Sequence, residues 1–489
     1  MTTSAPSRGR VRTTASGAAV VVLLAGPTAL AFFSGGYFEG PRAWAGLAAW
    51  LLVLVGLLAD RSSLPRTREA RLAFGGLALL AGWTLLSVLW APIAGSAYQA
   101  GQIVVLYTGV LAAAAILLRS LPAQRAVEPA LAAGVLIVVG YGISGRLVPG
   151  ILHFAASVSA DGRLEQPITY WNAMGELSAL GFVLSARIAG DVTRGRAMRA
   201  VAAAAAAPLG LGLYLSISRG ALFACAAGLI VLVMLAPRRE QLRAVLRSVL
   251  AAAITVLPAS LMAGFTSLSG RLSSQETEGA IMFAAVVIVA AGAGTAQWVL
   301  ERDRPSAQLE LPRRAPLIAL AIICTGLALA IVIGAKESSK QPVVTAGVSR
   351  YATLQSNRYA YWAVALSDFG AQPLNGVGAG GWAVDWLRYR KIGAFARDAH
   401  SLPLQTLAEL GLVGLAWLLT FLWGIARAAQ RAHRSRSALA AGPIAGFVVW
   451  LVHSPLDWDW QMPALTIVAI VLAGQLIALA AEGAANRGR

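Results

Sequence analysis

Residues 201–236 read VAAAAAAPLGLGLYLSISRGALFACAAGLIVLVMLA, an apolar run with a short polar interruption at Ser216, Ser218 and Arg219. A helix needs about 20 residues to cross a hydrocarbon core of roughly 30 Å. The run is therefore too long for one crossing, and it predicts two membrane helices joined by a tight turn at residues 216–220. Such runs are helical because every backbone polar group inside a bilayer must be bonded within its own segment.

The rest of the chain repeats this pattern. Of its 489 residues, 57% are hydrophobic and 13% are charged, whereas a soluble domain carries about a quarter charged residues. We therefore predict an all-α integral membrane protein with about fourteen transmembrane helices and one large extracytoplasmic loop. The predicted spans lie near residues 15–34, 43–59, 72–90, 100–118, 127–145, 170–186, 200–216, 220–236, 248–265, 279–299, 315–335, 403–425, 438–454 and 463–481.

The distribution of positive charge gives these spans a direction. If the N-terminus is cytoplasmic and each span reverses the side, about two thirds of the 40 Lys and Arg residues lie in cytoplasmic segments, as the positive-inside rule requires. Most of the others lie in one long outside loop, which can escape that rule. The predicted organisation is an N-terminal bundle of about eleven helices (1–335), the large extracytoplasmic loop (336–402) and about three C-terminal helices (403–489), with both termini cytoplasmic.

Within the large loop, residues 353–369 have helical periodicity, with four apolar residues on one face: Leu354, Tyr361, Ala365 and Phe369. We expect an amphipathic helix that lies on the membrane surface or covers a cavity. A glycine-rich run follows at residues 376–381. With no strand before it, this run does not predict a nucleotide-binding loop, and we expect it to permit a tight turn or a close approach of the backbone to a ligand.

Composition also excludes several kinds of protein. The net charge of +18 would suggest nucleic-acid binding in a soluble protein. Here the positive residues flank apolar runs, so we expect a lipid bilayer and no nucleic acid as the partner. The two cysteines, Cys225 and Cys324, lie inside apolar runs and predict neither disulfides nor a zinc site. The first apolar run lacks a clear cleavage site, so we expect an uncleaved first span.

Three arginines lie on the predicted outer side. Arg219 has no acidic residue nearby in the sequence, so its planar guanidinium suits a phosphate ligand; an arginine that reaches lipid headgroups is the alternative. Arg163 precedes the sixth predicted span and could instead pair with Asp161 or Glu165. Arg358 lies in the predicted loop helix, where a solvated surface position is the alternative.

One histidine and two amide or carboxyl residues lie on the same predicted side. Asn172 is four residues before Glu176, hence on the same helix face, although an interfacial helix cap would explain it too. His400 directly precedes a span, and imidazole can accept a proton from a hydroxyl near neutral pH; an ordinary surface histidine is the alternative. Glu409 lies inside an apolar span, where a carboxylate needs a cavity or a partner.

A further polar cluster follows the thirteenth predicted span. It consists of His453, Asp457 and Asp459. Membrane-embedded or membrane-edge ionisable groups are functional candidates, but capping at the interface would also account for these residues.

The strings Arg358-Tyr359-Ala360-Tyr361-Trp362, Pro373-Leu374-Asn375-Gly376-Val377-Gly378 and Ala399-His400-Ser401 followed by 404–415 (LQTLAELGLVGL) resemble the bacterial O-antigen ligase and polymerase family. The resemblance is close over residues 351–463 and loose over most of the chain. Segments around Arg163, Asn172 and Arg219, and His453-Ser454-Pro455-Leu456-Asp457-Trp458-Asp459, resemble weaker motifs of that family.

The resemblance implies a membrane glycosyltransferase of the plasma (inner) membrane that is inverting, metal-independent and needs no cofactor. It would transfer a glycan from a polyprenyl-diphosphate carrier to an acceptor hydroxyl, on a glycan or lipid-glycan, at the extracytoplasmic face. By the same resemblance Arg163, Arg219 and Arg358 would bind the diphosphate. His400 would be the catalytic base or would orient the hydroxyl, and Asn172, Glu409 and Asp457 would support the site.

The sequence leaves two alternative functions open. A transporter or flippase of lipid-linked sugars would place ionisable residues near the middle of the membrane, whereas here they gather at the predicted outer end. A scaffold of the envelope machinery would use the large loop as a partner surface. Whether the enzyme ligates or polymerises is left open by the sequence.

Overall fold

The computed structural model describes residues 8–59, 65–155, 157–300, 308–337, 351 and 354–485, except for the side chains of 8–15, 337, 436–437 and 484–485. Over these residues the chain forms seventeen α-helices and no β-strand. They are α1 (Arg8–Ala31), α2 (Glu39–Ala59), α3 (Arg68–Leu86), α4 (Ala94–Leu117), α5 (Leu121–Leu147), α6 (Trp171–Gly190), α7 (Arg196–Ala204), α8 (Ala206–Leu215), α9 (Arg219–Leu235), α10 (Arg239–Ser260), α11 (Ala263–Ser267), α12 (Leu272–Leu300), α13 (Ala315–Glu337), α14 (Arg358–Ala371), α15 (Gly381–Tyr389), α16 (Leu402–His453) and α17 (Pro463–Ala485).

Most of these helices suit a membrane. In the described part of the chain, ten helices are long and apolar enough to span a bilayer, and three further apolar helices are shorter. The prediction of an all-helical, multi-pass membrane protein is therefore confirmed. The exact number of fourteen spans stays a prediction, since α6 is not among those ten or three.

The helix α6 forms the centre of the bundle. Every residue from Asn172 to Gly190 is buried, and α6 packs against α5, α8, α9, α10 and α16. It carries polar groups at both ends. Asn172 and Glu176 lie near its N-terminus, and Arg187 near its C-terminus forms ion pairs with Asp191 and Glu128. These charged groups are paired because an isolated buried charge is costly.

The long helix α16 is folded back on itself. A straight helix of 52 residues would be about 78 Å long, yet the N–H of Leu402 donates to the carbonyl of Ser454, 2.9 Å away. Its two apolar stretches are Leu402–Ser435 and Ala438–His453, so the fold-back lies between them. Both ends of α16 therefore lie at the same end of the bundle, which we call the cavity end.

The first arm of α16 is interrupted at Gly411. This glycine has a φ of +64°. The N–H groups of Leu412 and Val413 donate to the carbonyls of Pro373 and Leu374, at 2.8 and 3.2 Å. The segment 373–378 is thus bonded directly to the interrupted helix. Irregular backbone inside a membrane protein is tolerated where other protein groups satisfy it in this way.

The glycine-rich run makes this close approach possible. The N–H groups of Val377 and Gly378 donate to the carbonyls of Ala408 and Glu409, both at 2.9 Å. A Cβ on Gly376 would lie 2.3 Å from the carbonyl carbon of Glu409. The run therefore permits a close backbone approach, but in the structure the backbone approaches α16, whereas the sequence predicted a ligand.

The helix predicted in the large loop begins later than expected. It is α14, which starts at Arg358; Leu354 precedes it, and Thr353 lies outside the described residues. Its buried residues are Tyr361, Val364, Ala365 and Asp368, which share two positions with the predicted face. The helix packs against α15 and α16, and Arg358 and Tyr361 line a cavity. Of the two predicted roles for this helix, the structure shows the one that covers a cavity.

Candidate active site

A cavity of about 720 Å³ lies at the cavity end of the bundle, and we call it the arginine cavity. Four of the predicted site residues line it: Arg163, Asn172, Arg358 and His400. They come from the loop before α6, the start of α6, the start of α14 and the loop before α16. Aromatic side chains make up much of the remaining wall, including Tyr37, Trp171, Tyr361 and Trp458. Sequence positions more than 200 residues apart thus converge on one space.

Arg358 is held by a buried carboxylate. Its guanidinium lies 2.6 Å from Asp457 Oδ2. Tyr170 donates from its hydroxyl to the other oxygen, Oδ1, at 2.7 Å, and Asn172 donates from its side-chain amide to the Tyr170 hydroxyl at 2.8 Å. The Arg358 side chain is 19% exposed and Asp457 is fully buried. Asp457 therefore orients the guanidinium while part of it still faces the cavity.

The charge state of Asp457 follows from this pairing. Burial alone would raise the pKa of the Asp457 carboxyl, but Arg358, His400, His453 and the hydrogen bond from Tyr170 together outweigh burial and hold the pKa below its usual value. Burial and the nearby Asp457 raise the pKa of Tyr170 well above its usual value. Asp457 is thus ionised and Tyr170 is protonated at neutral pH, as their hydrogen bond requires.

His400 is arranged as a neutral imidazole. Its Nδ1 lies 2.8 Å from the carbonyl of Asp398. Because a carbonyl can only accept, Nδ1 carries the proton and Nε2 keeps its lone pair. The ring packs beside Tyr361 and Trp458, with ring centroids 5.1 and 6.0 Å away. Burial lowers the pKa of His400, so the neutral form, which can act as a base, predominates at neutral pH.

Arg163 is fixed by an aromatic ring and by carbonyl groups. Its guanidinium carbon lies 3.7 Å from the ring centroid of Trp171. It donates to the carbonyls of Ala160 and Ser159, both at 2.6 Å. Cation–π contact and backbone hydrogen bonds leave the positive charge in place at the cavity wall. Arg163 and Arg358 thus present two guanidinium groups to one cavity.

Arg219 occupies a different position. It lies outside the set of described residues that line the arginine cavity. Its guanidinium donates to the carbonyl of Gln355 at 3.0 Å, and Gln355 precedes Ser356 and Asn357, which do line the cavity. The structure therefore places Arg219 behind the cavity lining: it contacts Gln355, next to the residues that face the arginine cavity.

Glu409 faces a second, adjoining cavity of about 620 Å³. The two cavities share Tyr37, Phe38 and residues 395–398 as a common wall. Glu409 accepts a hydrogen bond from the side-chain amide of Gln405, 3.1 Å away. Arg42, Gln405 and Gln461 also line this second cavity. We call residues 395–398 of this common wall the partition. Glu409 thus lies near the arginine cavity but on the other side of the partition.

A buried triad lies beneath the site and was only partly expected. His453 Nδ1 is 2.7 Å from Glu176 Oε2 and 2.8 Å from Asp459 Oδ2. Ligands around a tetrahedral metal at 2.0–2.1 Å stand about 3.3 Å apart, whereas these separations are hydrogen-bond lengths. We interpret the triad as a polar cluster that ties α6, α16 and the loop before α17 together, through a hydrogen bond between His453 and Asp459 and a close ion-pair contact between His453 and Glu176. The sequence indicated His453 and Asp459 as one cluster but gave no link to Glu176.

Three further residues at the site were not identified from the sequence as functional: Tyr170, Gln405 and Trp458. Tyr170 adjoins the predicted Asn172, and Trp458 adjoins the predicted Asp457. Gln405 lies one helical turn before Glu409. Their proximity in sequence to predicted residues was the available signal, but only the structure shows which atoms they contact.

Part of the chain is similar in sequence to a known protein family. Residues 263–419 match the family model described as O-Antigen ligase. This segment is similar to the O-antigen ligase family. The match confirms the resemblance that the sequence indicated. It covers about a third of the chain, from α11 into the first arm of α16.

The O-antigen ligase segment contains only part of the site. Arg358, His400 and Glu409 fall within residues 263–419, whereas Arg163 and Asp457 do not. The N-terminal bundle and the loop before α17 therefore complete the arginine cavity. No curated protein matches the chain.

Proposed function

We propose that this protein transfers a glycan from a polyprenyl-diphosphate carrier to an acceptor hydroxyl at the cavity end of its bundle. The observation that supports this most strongly is that Arg163, Arg358 and His400 line one cavity. Two guanidinium groups suit a diphosphate, and a neutral imidazole suits deprotonation of a hydroxyl. The O-antigen ligase match supports glycan transfer as the general reaction.

The proposed chemical step is a single displacement at the anomeric carbon. The acceptor oxygen forms a bond to that carbon as the bond from carbon to the phosphate oxygen breaks, which inverts the configuration. The acceptor proton passes to His400 Nε2, and the polyprenyl diphosphate leaves with the bonding electrons. Negative charge therefore grows on the diphosphate, where fixed guanidinium groups stabilise it.

Each side chain has a defined part in this step. Asp457 keeps Arg358 extended through its 2.6 Å contact, so little reorganisation is needed when the diphosphate arrives. Trp171 does the same for Arg163. A base on the acceptor hydroxyl contributes about 10²- to 10⁴-fold in rate. Arg219 supports the wall through Gln355, and we assign it an indirect role.

The two adjoining cavities offer room for two substrates. The arginine cavity suits the diphosphate end of the donor. The second cavity contains amide and carboxyl side chains, including Gln99, Gln461 and Glu409, and such groups form hydrogen bonds with sugar hydroxyls. We propose that the acceptor approaches from this side, across the partition formed by residues 395–398.

The test uses purified protein in lipid vesicles with a polyprenyl-diphosphate oligosaccharide and candidate acceptors, with products identified by mass spectrometry. Wild-type protein should form a new glycosidic linkage. His400→Ala should reduce transfer about 10²- to 10⁴-fold. Arg358→Lys should reduce kcat/KM about 10- to 100-fold, because lysine keeps the charge that pairs with Asp457 but loses the planar fork.

Arg388→Ala is the matched control, because Arg388 is 63% exposed and pairs with Asp385. It should transfer glycan at the wild-type rate. Full activity in both His400→Ala and Arg358→Lys would contradict the assignment. Movement of the intact lipid-linked glycan across the vesicle, with no new linkage, would support transport instead.

A further inference from the structure

The turn that carries His400 has an unusual backbone conformation. His400 has a φ of +52°, a left-handed value that residues with a Cβ rarely adopt. Such conformations persist where surrounding contacts hold them, and they are frequent at functional sites. The turn also forms part of the partition between the two cavities, through Asp398. Some group must therefore hold residues 398–400 in place.

Gln405 holds this turn through both the oxygen and the nitrogen of its side-chain amide. Its side-chain oxygen accepts from the N–H of Ala399 at 2.8 Å. Its nitrogen donates to Asp398 Oδ1 and to Glu409 Oε1, both at 3.1 Å. The side chain is buried. Both residues before His400 are thus bonded to one glutamine in the first turns of α16.

The same turn fixes the proton on His400. The carbonyl that faces His400 Nδ1 at 2.8 Å belongs to Asp398, the residue whose side chain Gln405 holds. If residues 398–399 shift, that carbonyl shifts with them. The hydrogen bond from His400 Nδ1 to the Asp398 carbonyl therefore depends on the position of the Gln405 amide, which bonds the neighbouring Ala399.

We infer that Gln405 is a positioning residue for His400: it fixes the 398–400 turn so that Nδ1 bonds a carbonyl and Nε2 serves the arginine cavity. This inference rests on the proposed role of His400 as the base. The hydrogen bonds of the Gln405 amide go to Ala399, Asp398 and Glu409, and Gln405 is not among the described residues that line the arginine cavity. It acts through the backbone of two residues.

The choice of glutamine has a chemical reason. Two carboxylates, Asp398 and Glu409, converge on one amide nitrogen, so this position needs two N–H donors together with one acceptor for Ala399. Leucine offers neither. Glutamate has nearly the same shape and can accept from Ala399, but it donates only when protonated, and then to one carboxylate. Gln405→Glu therefore preserves size while changing the hydrogen bonds.

Ionisable side chains surround both His400 and Gln405. Arg358 and Tyr361 from α14, together with Asp457 and Asp459 from the loop before α17, face His400. The second cavity around position 405 is lined by ionisable residues from α2, from the 397–398 segment and from α16: Glu39, Arg42, Arg397, Asp398 and Glu409. A new carboxylate at position 405 would thus meet two existing ones at hydrogen-bond distance.

The experiment measures steady-state transfer and its pH profile for Gln405→Leu and Gln405→Glu, with Gln430→Leu as the control. Gln430 lies on the same helix, is exposed and contacts Arg427. We expect Gln405→Leu to lower kcat about 10- to 100-fold, within the loss for His400→Ala, with the KM for the lipid-diphosphate donor changed less than about threefold. The apparent pKa of the base should shift, because the ring loses burial, which lowers its pKa, and the bond to the Asp398 carbonyl, which raises it.

Gln405→Glu should be closest to wild type at acidic pH and lose activity as pH rises, because ionisation of the new carboxyl places a negative charge beside the carboxyl groups of Asp398 and Glu409. Gln430→Leu should match the wild type throughout. Unchanged kcat in Gln405→Leu would overturn the inference. So would a lowered kcat with an unshifted pH profile, because a purely structural loss of active protein gives that result.

A second measurement separates this inference from the proposed function. In histidine-labelled protein, a nuclear magnetic resonance titration gives the pKa of His400, assigned by its absence in His400→Ala. No transfer by wild-type protein would contradict the proposed function, yet this pKa could still be compared. A shifted His400 pKa in Gln405→Leu, with Gln430→Leu unchanged, supports the positioning contact. Equal pKa values in all three proteins overturn it.

Discussion

At the scale of single residues, the site depends on which charges face the cavity and which lie behind its wall. Arg358 and Arg163 face the arginine cavity, whereas Arg219 contacts the carbonyl of Gln355. Removal of a guanidinium that contacts the diphosphate abolishes its direct stabilisation of the negative charge. Removal of a guanidinium that contacts only the cavity wall displaces the wall residues and affects the reaction indirectly. The three arginines should therefore differ in their effect on catalysis.

The first prediction concerns that difference. Arg163→Ala should lower kcat/KM for glycan transfer about 10²-fold or more, because it removes a charge from the cavity itself. Arg219→Ala should lower it less, about 3- to 10-fold, through displacement of the wall around Ser356 and Asn357. Steady-state rates with a lipid-diphosphate donor give both values. A larger loss in Arg219→Ala than in Arg163→Ala would show that the diphosphate sits elsewhere.

The second prediction concerns pH. The pKa of His400 lies below its ordinary value of 6.5 because of burial, so the base is neutral at pH 7 and becomes protonated on acidification. Activity should therefore fall on the acid side, with a midpoint below 6.5. The residual activity of His400→Ala should lack this limb of the profile.

One neighbouring group titrates in a similar range and needs its own control. Burial raises the pKa of Asp398 to about 6. If His400 causes the acid limb, Asp398→Asn should keep a limb, although its midpoint can move because Asp398 adjoins the same turn. Loss of the limb in Asp398→Asn, with its retention in His400→Ala, would assign the titration to Asp398 and contradict the proposed base.

The residue types and their common end of the bundle could be predicted from the sequence, because the alternation of spans assigns each loop to a side. The contacts could not. Asp457 lies about a hundred positions after its partner Arg358, and nothing local links them. Arg219 was expected beside Arg163, but side assignment does not distinguish a residue in the cavity from one in the layer behind it.

At the scale of helices, the interruption of α16 at Gly411 shapes the site. Gly411 has a left-handed φ of +64°, and a Cβ there would lie 2.2 Å from the carbonyl oxygen of Leu374. This interruption lets the segment 373–378 bond to the helix and sets the course of the chain just after Glu409. The first arm of α16, which carries Gln405 and Glu409, is thus fixed by backbone contacts rather than by side chains alone.

The third prediction tests this interruption. Gly411→Ala should destabilise the protein by about 1–3 kcal/mol, because the new methyl group strains the backbone and collides with Leu374. Thermal unfolding in detergent measures the change. Gly140→Ala in α5 is the matched control, since a Cβ there meets nothing within 4 Å, and it should stabilise or leave the protein unchanged. Equal melting temperatures for both variants would contradict the role of Gly411.

Helices and their approximate positions were predictable because apolar runs of membrane length have few alternatives to a helix. The interruption was not predictable, because Gly411 lies inside an apolar run where a glycine can simply be a small helical residue. The start of α14 was placed too early for a related reason. Helical periodicity locates a face more reliably than an end.

At the scale of the whole molecule, the predicted sides are consistent with the contacts. Arg125 donates to Thr193 at 3.0 Å, and both lie in loops that the charge pattern assigns to the cytoplasm. Arg163, Arg358 and His400, all assigned to the outside, share one cavity. Members of each predicted group thus meet one another in these contacts, and the sorting of the remaining loops stays a prediction. Which group faces the cytoplasm stays a prediction.

The fourth prediction settles the direction. In a background with Cys225→Ala and Cys324→Ser, single cysteines are introduced as Arg390→Cys and Arg427→Cys, both exposed positions. A membrane-impermeant maleimide applied to spheroplasts should label Arg390→Cys at once. It should label Arg427→Cys only after the membrane is permeabilised. These outcomes follow if the arginine cavity opens on the outside, where we propose that a lipid-diphosphate glycan serves as the donor. The reverse pattern would place His400 in the cytoplasm and contradict the proposed site of transfer, even if the cavity itself is as described.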